Sequence, residues 1–212
     1  MDIVVNADTV QQQALLARGI PGAVTIHWLD GTGDIPDADA YFDLLYEETG
    51  IPVFVPVTGK PVFISSVIET CATLPAGNIR INAWNGFLQQ PKIELATAAE
   101  TLDASAVNVL EALNWSYIQA PDTPGMIAAR VIAMIINEAY YGLGDDISTK
   151  AAMDTAMKLG TNYPYGPFEW AERIGLQKIC ALLKKLSHQN TRYTIAPLLE
   201  KEAQSTNRPI NQ

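Results

Sequence analysis

Short apolar, β-rich runs alternate with helical ones through the first half of the chain, then give way to helical runs alone. Asp2–Val5 predicts a strand, Thr9–Arg18 a helix and Ala23–Leu29 a second strand. Ala40–Leu45, Val53–Val57, Val62–Ile64 and Ile79–Trp84 predict further strands. Strand, helix, strand in that order is the mark of a parallel, doubly wound sheet. Beyond Ala120 the pattern turns helical. Thr123-Pro124 predicts a cap and a first-turn proline for a helix that reaches about Tyr141. Ile127, Val131, Met134 and Ile135, with Ala128, Ile132 and Ile136, leave that helix apolar nearly all the way round, which suits a core position or a subunit interface. Gly142 and Gly144 are expected to stop it, and Ser148 to cap a helix ending near Gly160. Gly166-Pro167 opens another, Gly175 divides it, and Pro197–Ala203 forms a last short helix before a tail expected to fray. The reading is a strand-rich domain over 1–119 and a helical domain over 120–212.

Composition narrows the function classes. A length of 212 residues allows one large domain or two modest ones. The net charge of −9 argues against nucleic acid, whose phosphates demand clustered Lys and Arg. Cys71 and Cys180 lie far apart with no CxxC pattern and read as reduced, buried thiols of a cytoplasmic protein rather than a disulfide. The start lacks a basic segment followed by an apolar one, and the apolar stretch Met126–Ile136 is broken by Arg130 and too short for a bilayer. A soluble protein with no membrane partner is expected.

Four motifs stand out in the second half. They are Ala120-Pro-Asp-Thr-Pro-Gly-Met-Ile-Ala-Ala-Arg130, Asn137-Glu-Ala139, Met153-Asp-Thr-Ala-Met-Lys-Leu-Gly160 and Tyr163-Pro-Tyr-Gly-Pro-Phe-Glu169. In this order they resemble the "DxPGFxxNR", "NEA", "DxAMKLG" and "YPMGPFE" motifs of the helical C-terminal domain of 3-hydroxyacyl-CoA dehydrogenases. The resemblance is strong over about 119–203. It implies a shortened, degenerate α/β Rossmann-like domain followed by an all-α domain, and a homodimer formed through the helical domain. It also implies NAD as cofactor, oxidation of a 3-hydroxyacyl-CoA, and a place in fatty acid metabolism.

The first half resembles the family less. Where the family has G-x-G-x-x-G for the pyrophosphate, this chain has Asn6, Asp8 and Gln11. Their side chains would fill the approach of the phosphates, and the Asp8 carboxylate would repel them. Asp30 stands where the resemblance implies a ribose-binding acid, and as a strand-end turn residue it also needs no such role. Asp39 to Glu47 resembles the "DxxxEAxxE" strand, with Glu47 at the second acid. Ser65-Ser66-Val67 resembles the end of "NTSSL", with Phe63 at the asparagine position. The resemblance makes Ser65 a substrate-side candidate, while an ordinary strand-end serine is the simpler reading.

The family's catalytic stretch, "HFFNP" with a glutamate twelve residues beyond the histidine, corresponds to Asn82-Ala-Trp-Asn85-Gly86 and Glu94. The glutamate and the second asparagine, Asn85, are kept, and the base has become Asn82. An amide cannot take a proton at neutral pH, though it can hold a carbonyl by hydrogen bonding. Ala129 before Arg130 replaces the "NR" asparagine, and Gly31–Asp37 is too short for the hairpin that helps hold coenzyme A in the family. The remaining histidines, His27 and His188, read as structural or surface residues, and no metal cluster is foreseen. Three functions stay open: a weak or inactive dehydrogenase, a non-catalytic subunit of a homo-oligomer or partner complex, and a small-molecule or acyl-CoA binding module using Ser65, Asn82, Asn85 and Glu94.

Overall fold

β1, Asp2–Asn6, is three-fifths buried apolar side chain and takes an inner place in the sheet, as an almost continuous Ile-Val-Val run should. The computed structural model describes residues 1–31, 34–55 and 59–206, and the chain divides into two units, Met1–Ile127 and Ala128–Gln212. In the first unit β1 is followed by α1 (Thr9–Ala17), β2 (Thr25–Trp28), β3 (Ala40–Asp43), a single helical turn α2 (Tyr46–Thr49) and β4 (Val62–Ser65). Then come β5 (Asn78–Ile81), β6 (Lys92–Ala96), α3 (Ala104–Ala112) and β7 (Ser116–Gln119). The strand order is β2-β1-β3-β4-β5-β6-β7.

All neighbouring strands pair in parallel except β5 and β6, where Arg80 faces Ala96 and Ile81 faces Leu95 in antiparallel register. The expected purely parallel sheet is corrected there, because only a short connection separates these two strands. Strand alternation sends Ile3, Val5, Phe42, Phe63, Ile81 and Leu95 to one face. Both long helices of the unit cover it, through Ala14 and Leu15 of α1 and Ala106, Val109 and Leu110 of α3. Phe42 stacks on Phe63 with ring centroids 4.4 Å apart. The opposite face, at Val4, Tyr41 and Val62, is covered by connecting chain carrying Ala38 and Phe54. That is less than a doubly wound sheet, with the two long helices on one side.

Several expected elements move. The strand expected at Ile79–Trp84 starts earlier and stops at Ile81. No strand forms over Val53–Val55, and residues 56 and 57 of that expectation lie outside the described residues. β6, α3 and β7 were not foreseen; Asp103 nucleates α3 by accepting the Ala106 N–H at 2.8 Å.

The second unit holds α4 (Ala128–Gly144), α5 (Lys150–Thr161), α6 (Pro167–Ile174), α7 (Leu176–Ser187) and α8 (Pro197–Thr206). Thr123 and Pro124 do not open α4. They belong to a turn in which Gly125 and Met126 take positive φ, and the helix starts beyond it, at Ala128. Gly142 and Gly144 do not end it early; a glycine in a last turn costs only about 1 kcal/mol. Thr149, rather than Ser148, caps α5 by accepting the Ala152 N–H at 3.2 Å. Gly166 and Pro167 do start α6, and Gly175 at φ +96° does separate α6 from α7. Residues 204–206 of the expected frayed tail are helical, and 207–212 lie outside the described residues. Among the described residues no helix is long and apolar enough to cross a membrane.

Candidate functional site

The antiparallel register of β5 and β6 continues one residue past β5, where the Asn82 N–H bonds to the Glu94 carbonyl at 3.0 Å. That rung brings the two side chains together: Asn82 Nδ2 donates to Glu94 Oε2 at 3.0 Å, and both residues are buried. Asn82 Oδ1 accepts the Trp84 N–H at 3.4 Å. The twelve-residue spacing is therefore the span of a folded-back strand pair. An amide with both ends engaged orients its neighbours, and it supplies no site that takes up a proton near neutrality.

Glu47 stands beside this pair through Trp84, whose indole Nε1 donates to Glu47 Oε2. Its other oxygen accepts the N–H groups of Val67 at 2.8 Å and Ile68 at 2.7 Å. Glu47 thus clasps the loop that leaves β4, and its oxygens point at protein donors. Ser65 ends β4 opposite Ile81, so alternation puts it on the Phe63–Ile81 face, opposite the face of Arg80 and Asn82. Asn85 is half-buried next to Gly86. Of the four catalytic-side candidates, only Asn82 and Glu94 are joined by a hydrogen bond described here.

At the end of β1 the chain closes on itself. The Asp8 carboxylate accepts the Gln11 N–H at 2.7 Å, and Gln11 Oε1 accepts the Asp8 N–H at 3.1 Å, a complete capping box at the start of α1. Gln11 Nε2 donates to the Leu44 carbonyl at 2.8 Å. Asn6 Nδ2 donates to Asp43 Oδ1 at 2.9 Å, and buried Asp43 also accepts the Val53 N–H at 2.9 Å. A dinucleotide pyrophosphate would need that helix N-terminus open and free of anions. Here a carboxylate already occupies it, with a second carboxylate one strand away, so these residues do not fit the cofactor that the resemblance implies. Asp30 is exposed beyond β2. His27 is exposed with Nε2 2.9 Å from Asp2 Oδ1, and His188 is the C-cap of α7.

One heavily bonded side chain of this unit stands outside the candidate residues read from the sequence. Arg80, fully buried on β5, donates from Nε to the Ser66 carbonyl at 2.8 Å and from Nη2 to the Val67 carbonyl at 3.0 Å. Its Nη1 reaches Asp122 Oδ1 at 2.7 Å, and both terminal nitrogens reach the Thr123 carbonyl at 3.3 Å. Asp122 also accepts the Cys71 N–H at 3.0 Å. Burial pushes the Asp122 carboxyl up, but the Cys71 N–H and the Arg80 guanidinium outweigh it and hold the group below the ordinary carboxylate range. Burial, with Asp122 nearby, pushes the Cys71 thiol up to about 11, so it stays protonated and unreactive near neutral pH. The available signal was a lone arginine inside the apolar run Asn78-Ile-Arg-Ile81, which demands a partner.

The helical unit's motifs have structural duties. Buried Asn137 donates to the Thr194 carbonyl and accepts the Ala196 N–H, both at 2.8 Å, and so fixes the entry to α8. Asp154 Oδ1 accepts the Phe168 N–H at 2.8 Å, and Glu169 closes back on the Gly166 N–H at 2.9 Å while pairing with Lys158. Ala129 is fully buried within α4.

Comparison with known proteins agrees with these motifs. Residues 125–208 match the family model for the 3-hydroxyacyl-CoA dehydrogenase C-terminal domain. The chain is 39% identical over 116 residues to a 3-hydroxyadipyl-CoA dehydrogenase of Escherichia coli (strain K12), covering 52% of this chain and 24% of that protein. It is 33% identical over 107 residues to a 3-hydroxybutyryl-CoA dehydrogenase of Clostridioides difficile, covering 50% of this chain and 38% of that one. The matches therefore span well under two thirds of these relatives. Among solved structures, an (S)-3-hydroxybutyryl-CoA dehydrogenase from Ralstonia eutropha superposes with a TM-score of 0.69 at 16% identity, over 97% of this chain and 94% of that one, which shows a shared fold. A 3-hydroxybutyryl-CoA dehydrogenase from Escherichia coli K12 superposes with a TM-score of 0.60 at 26% identity, over 93% of this chain and 44% of that one. With the helical unit and the four ordered motifs in place, residues 125–208 carry the C-terminal domain of the 3-hydroxyacyl-CoA dehydrogenase family, and the chain as a whole is similar to those enzymes.

Proposed function

We propose that this chain is a dehydrogenase-family scaffold that has given up dinucleotide-dependent oxidation of 3-hydroxyacyl-CoA and serves as a non-catalytic subunit. The observation that carries this reading is the closed capping box at α1, where Asp8 takes the backbone amide that a cofactor phosphate would need. The buried Asn82–Glu94 hydrogen bond supports it, since the residue in the base position has no proton to exchange at neutral pH. Losing a general base alone typically costs on the order of 10²–10⁴ in rate. The setting we assign is the reducing cytoplasm, where Cys71 and Cys180 remain free thiols.

Calorimetric titration with NAD and NADH is expected to give no saturable heat up to millimolar cofactor. An acetoacetyl-CoA reduction assay on the same sample is expected to stay at the uncatalysed rate. Saturable NADH binding together with turnover would sink the proposal and point to a site rebuilt around other residues.

The same reading makes the partner a second copy of this chain, joined through the helical unit. Exposed apolar side chains there support it: Val131 is 51% exposed, Ile147 73% and Leu159 83%. Sedimentation equilibrium at micromolar concentration should return twice the 23.1 kDa chain mass. A pure monomer would remove the assembly role.

A further inference from the structure

One face of α4 is buried, at Ala129, Ala133, Ile136 and Tyr140, and the other is largely apolar and open. On the open face Val131 and Glu138 are exposed, and Met134 and Ile135 are half-buried. Two grooves run beside these residues. One, of about 310 Å³, is lined by Arg130, Val131, Met134, Arg192 and Tyr193. The other, of about 390 Å³, is lined by Ile135, Ala139, Met153 and Met157. Glu138 belongs to the wall of both. The guanidinium carbons of Arg130 and Arg192 lie 5.9 Å and 5.1 Å from the centre of the Tyr193 ring, which gathers positive charge around that ring.

Helix geometry fixes where the charges on α4 stand. Four residues advance an α-helix by about 6 Å and turn it about 40° past a full circle. Arg130 therefore lies about 6 Å before Met134 and about 40° to one side, and Glu138 about 6 Å beyond and about 40° to the other. A two-fold axis through Met134, perpendicular to α4, exchanges these two positions. It lays a second α4 antiparallel on the first, with Met134 against Met134 and Arg130 against the partner's Glu138 at both ends. A closed interface between two identical chains must be complementary to itself in this manner. Tyr, Met and Arg are also residue types enriched in such interfaces. With a net charge of −9, two copies repel each other at a distance, and a face that opposes unlike charges at contact offsets that repulsion.

We propose that the chain pairs with a second copy through α4, antiparallel about a two-fold axis at Met134, with two reciprocal Arg130–Glu138 ion pairs. Arg192 and Tyr193 wall the Arg130 end, so the partner's Glu138 enters a setting of two guanidinium groups that is partly shielded from water, where a charge pair counts for more. The inference rests on the second-copy reading above and adds the face, the register and the pairing that join the copies.

The test makes Arg130→Glu and Glu138→Arg separately in the full chain and follows both by sedimentation equilibrium. Each alone sets like charges face to face and is expected to weaken the dimer about tenfold or more. Mixed in equal amounts, the two variants are expected to regain a dimer, because one chain of each again opposes unlike charges at both ends. A general loss of folding cannot give that rescue. Single variants that both dimerise within about threefold of wild type would overturn the proposal while leaving the dimer in place, and so would a mixture that stays monomeric. A wild-type monomer would remove the second-copy reading and this inference together. Should a charge variant fail to fold, Met134→Cys decides. Packed helices lie about 8–10 Å apart, which brings facing Cα atoms within disulfide reach, so mild oxidation is expected to give a covalent dimer. No covalent dimer would overturn the proposal.

Discussion

Arg80→Ala should lower the stability of the sheet unit by about 3–5 kcal/mol, read as a fall in the urea midpoint with little change in slope. The side chain is fully buried, and its three donor nitrogens serve Ser66, Val67, Thr123 and Asp122 at once. Alanine leaves carbonyls without donors, opens a cavity and strips the charge partner from Asp122. The lost ion pair is the smaller part, because the Asp122 side chain keeps 25% of its exposure and is partly hydrated. A loss under about 1 kcal/mol would mean that the Ser66–Val67 loop and the Asp122–Gly125 turn hold together without the arginine. The pH dependence gives a second readout. A carboxyl whose folded pKa is depressed adds stability above its unfolded value of about 4, and that stability is lost as pH falls through the lower folded value. Arg80→Ala should flatten that acid limb.

Gly166→Ala should cost at least about 3 kcal/mol in the helical unit, through overpacking and loss of a helix cap together. The backbone conformation is not the obstacle, since φ is −72°. Space is. A Cβ at Gly166 would lie 2.4 Å from both Cα and Cβ of Asp154 and 2.2 Å from its Oδ1, the atom that accepts the Phe168 N–H. Relief would require moving α5 backbone away from α6, which breaks that cap. Gly160→Ala is the matched control: nothing lies within 4 Å of its added Cβ, and the helical position should gain about 0.5–1 kcal/mol. Equal melting temperatures for the two variants would sink the steric account.

These residues also show where sequence reading succeeds. β1, α1 and β2 were legible because β-branched runs such as Ile3–Val5, and the helical run between them, are local signals. Gly166-Pro167 and Gly175 were legible for the same reason: each acts on its own backbone. β7 was not, because Ser116-Tyr-Ile-Gln119 is a half-exposed edge strand whose place is decided by pairing with β6. α4 was misplaced at its start because the Gly125 N–H bonds to the carbonyl of Val67, far back in sequence. Asn82 and Glu94 could be named from the resemblance, and their twelve-residue spacing follows from a hairpin that no short window displays. Arg80 was visible as a charge in an apolar run, but which groups it would bind depended on a loop and a turn brought together only by folding.

The capping box at α1 has a thermodynamic consequence for any dinucleotide that approaches this helix. Asp8 is a competitor tethered to its own receptor, so its carboxylate meets the Gln11 amide at an effective concentration of about millimolar or above, without entropy of association. A free dinucleotide must first displace that tethered anion, and dilution never weakens it. Raising the cofactor level in solution therefore acts against a competitor that cannot diffuse away. Reopening the loop is a matter of altering the covalent chain, beginning with Asp8.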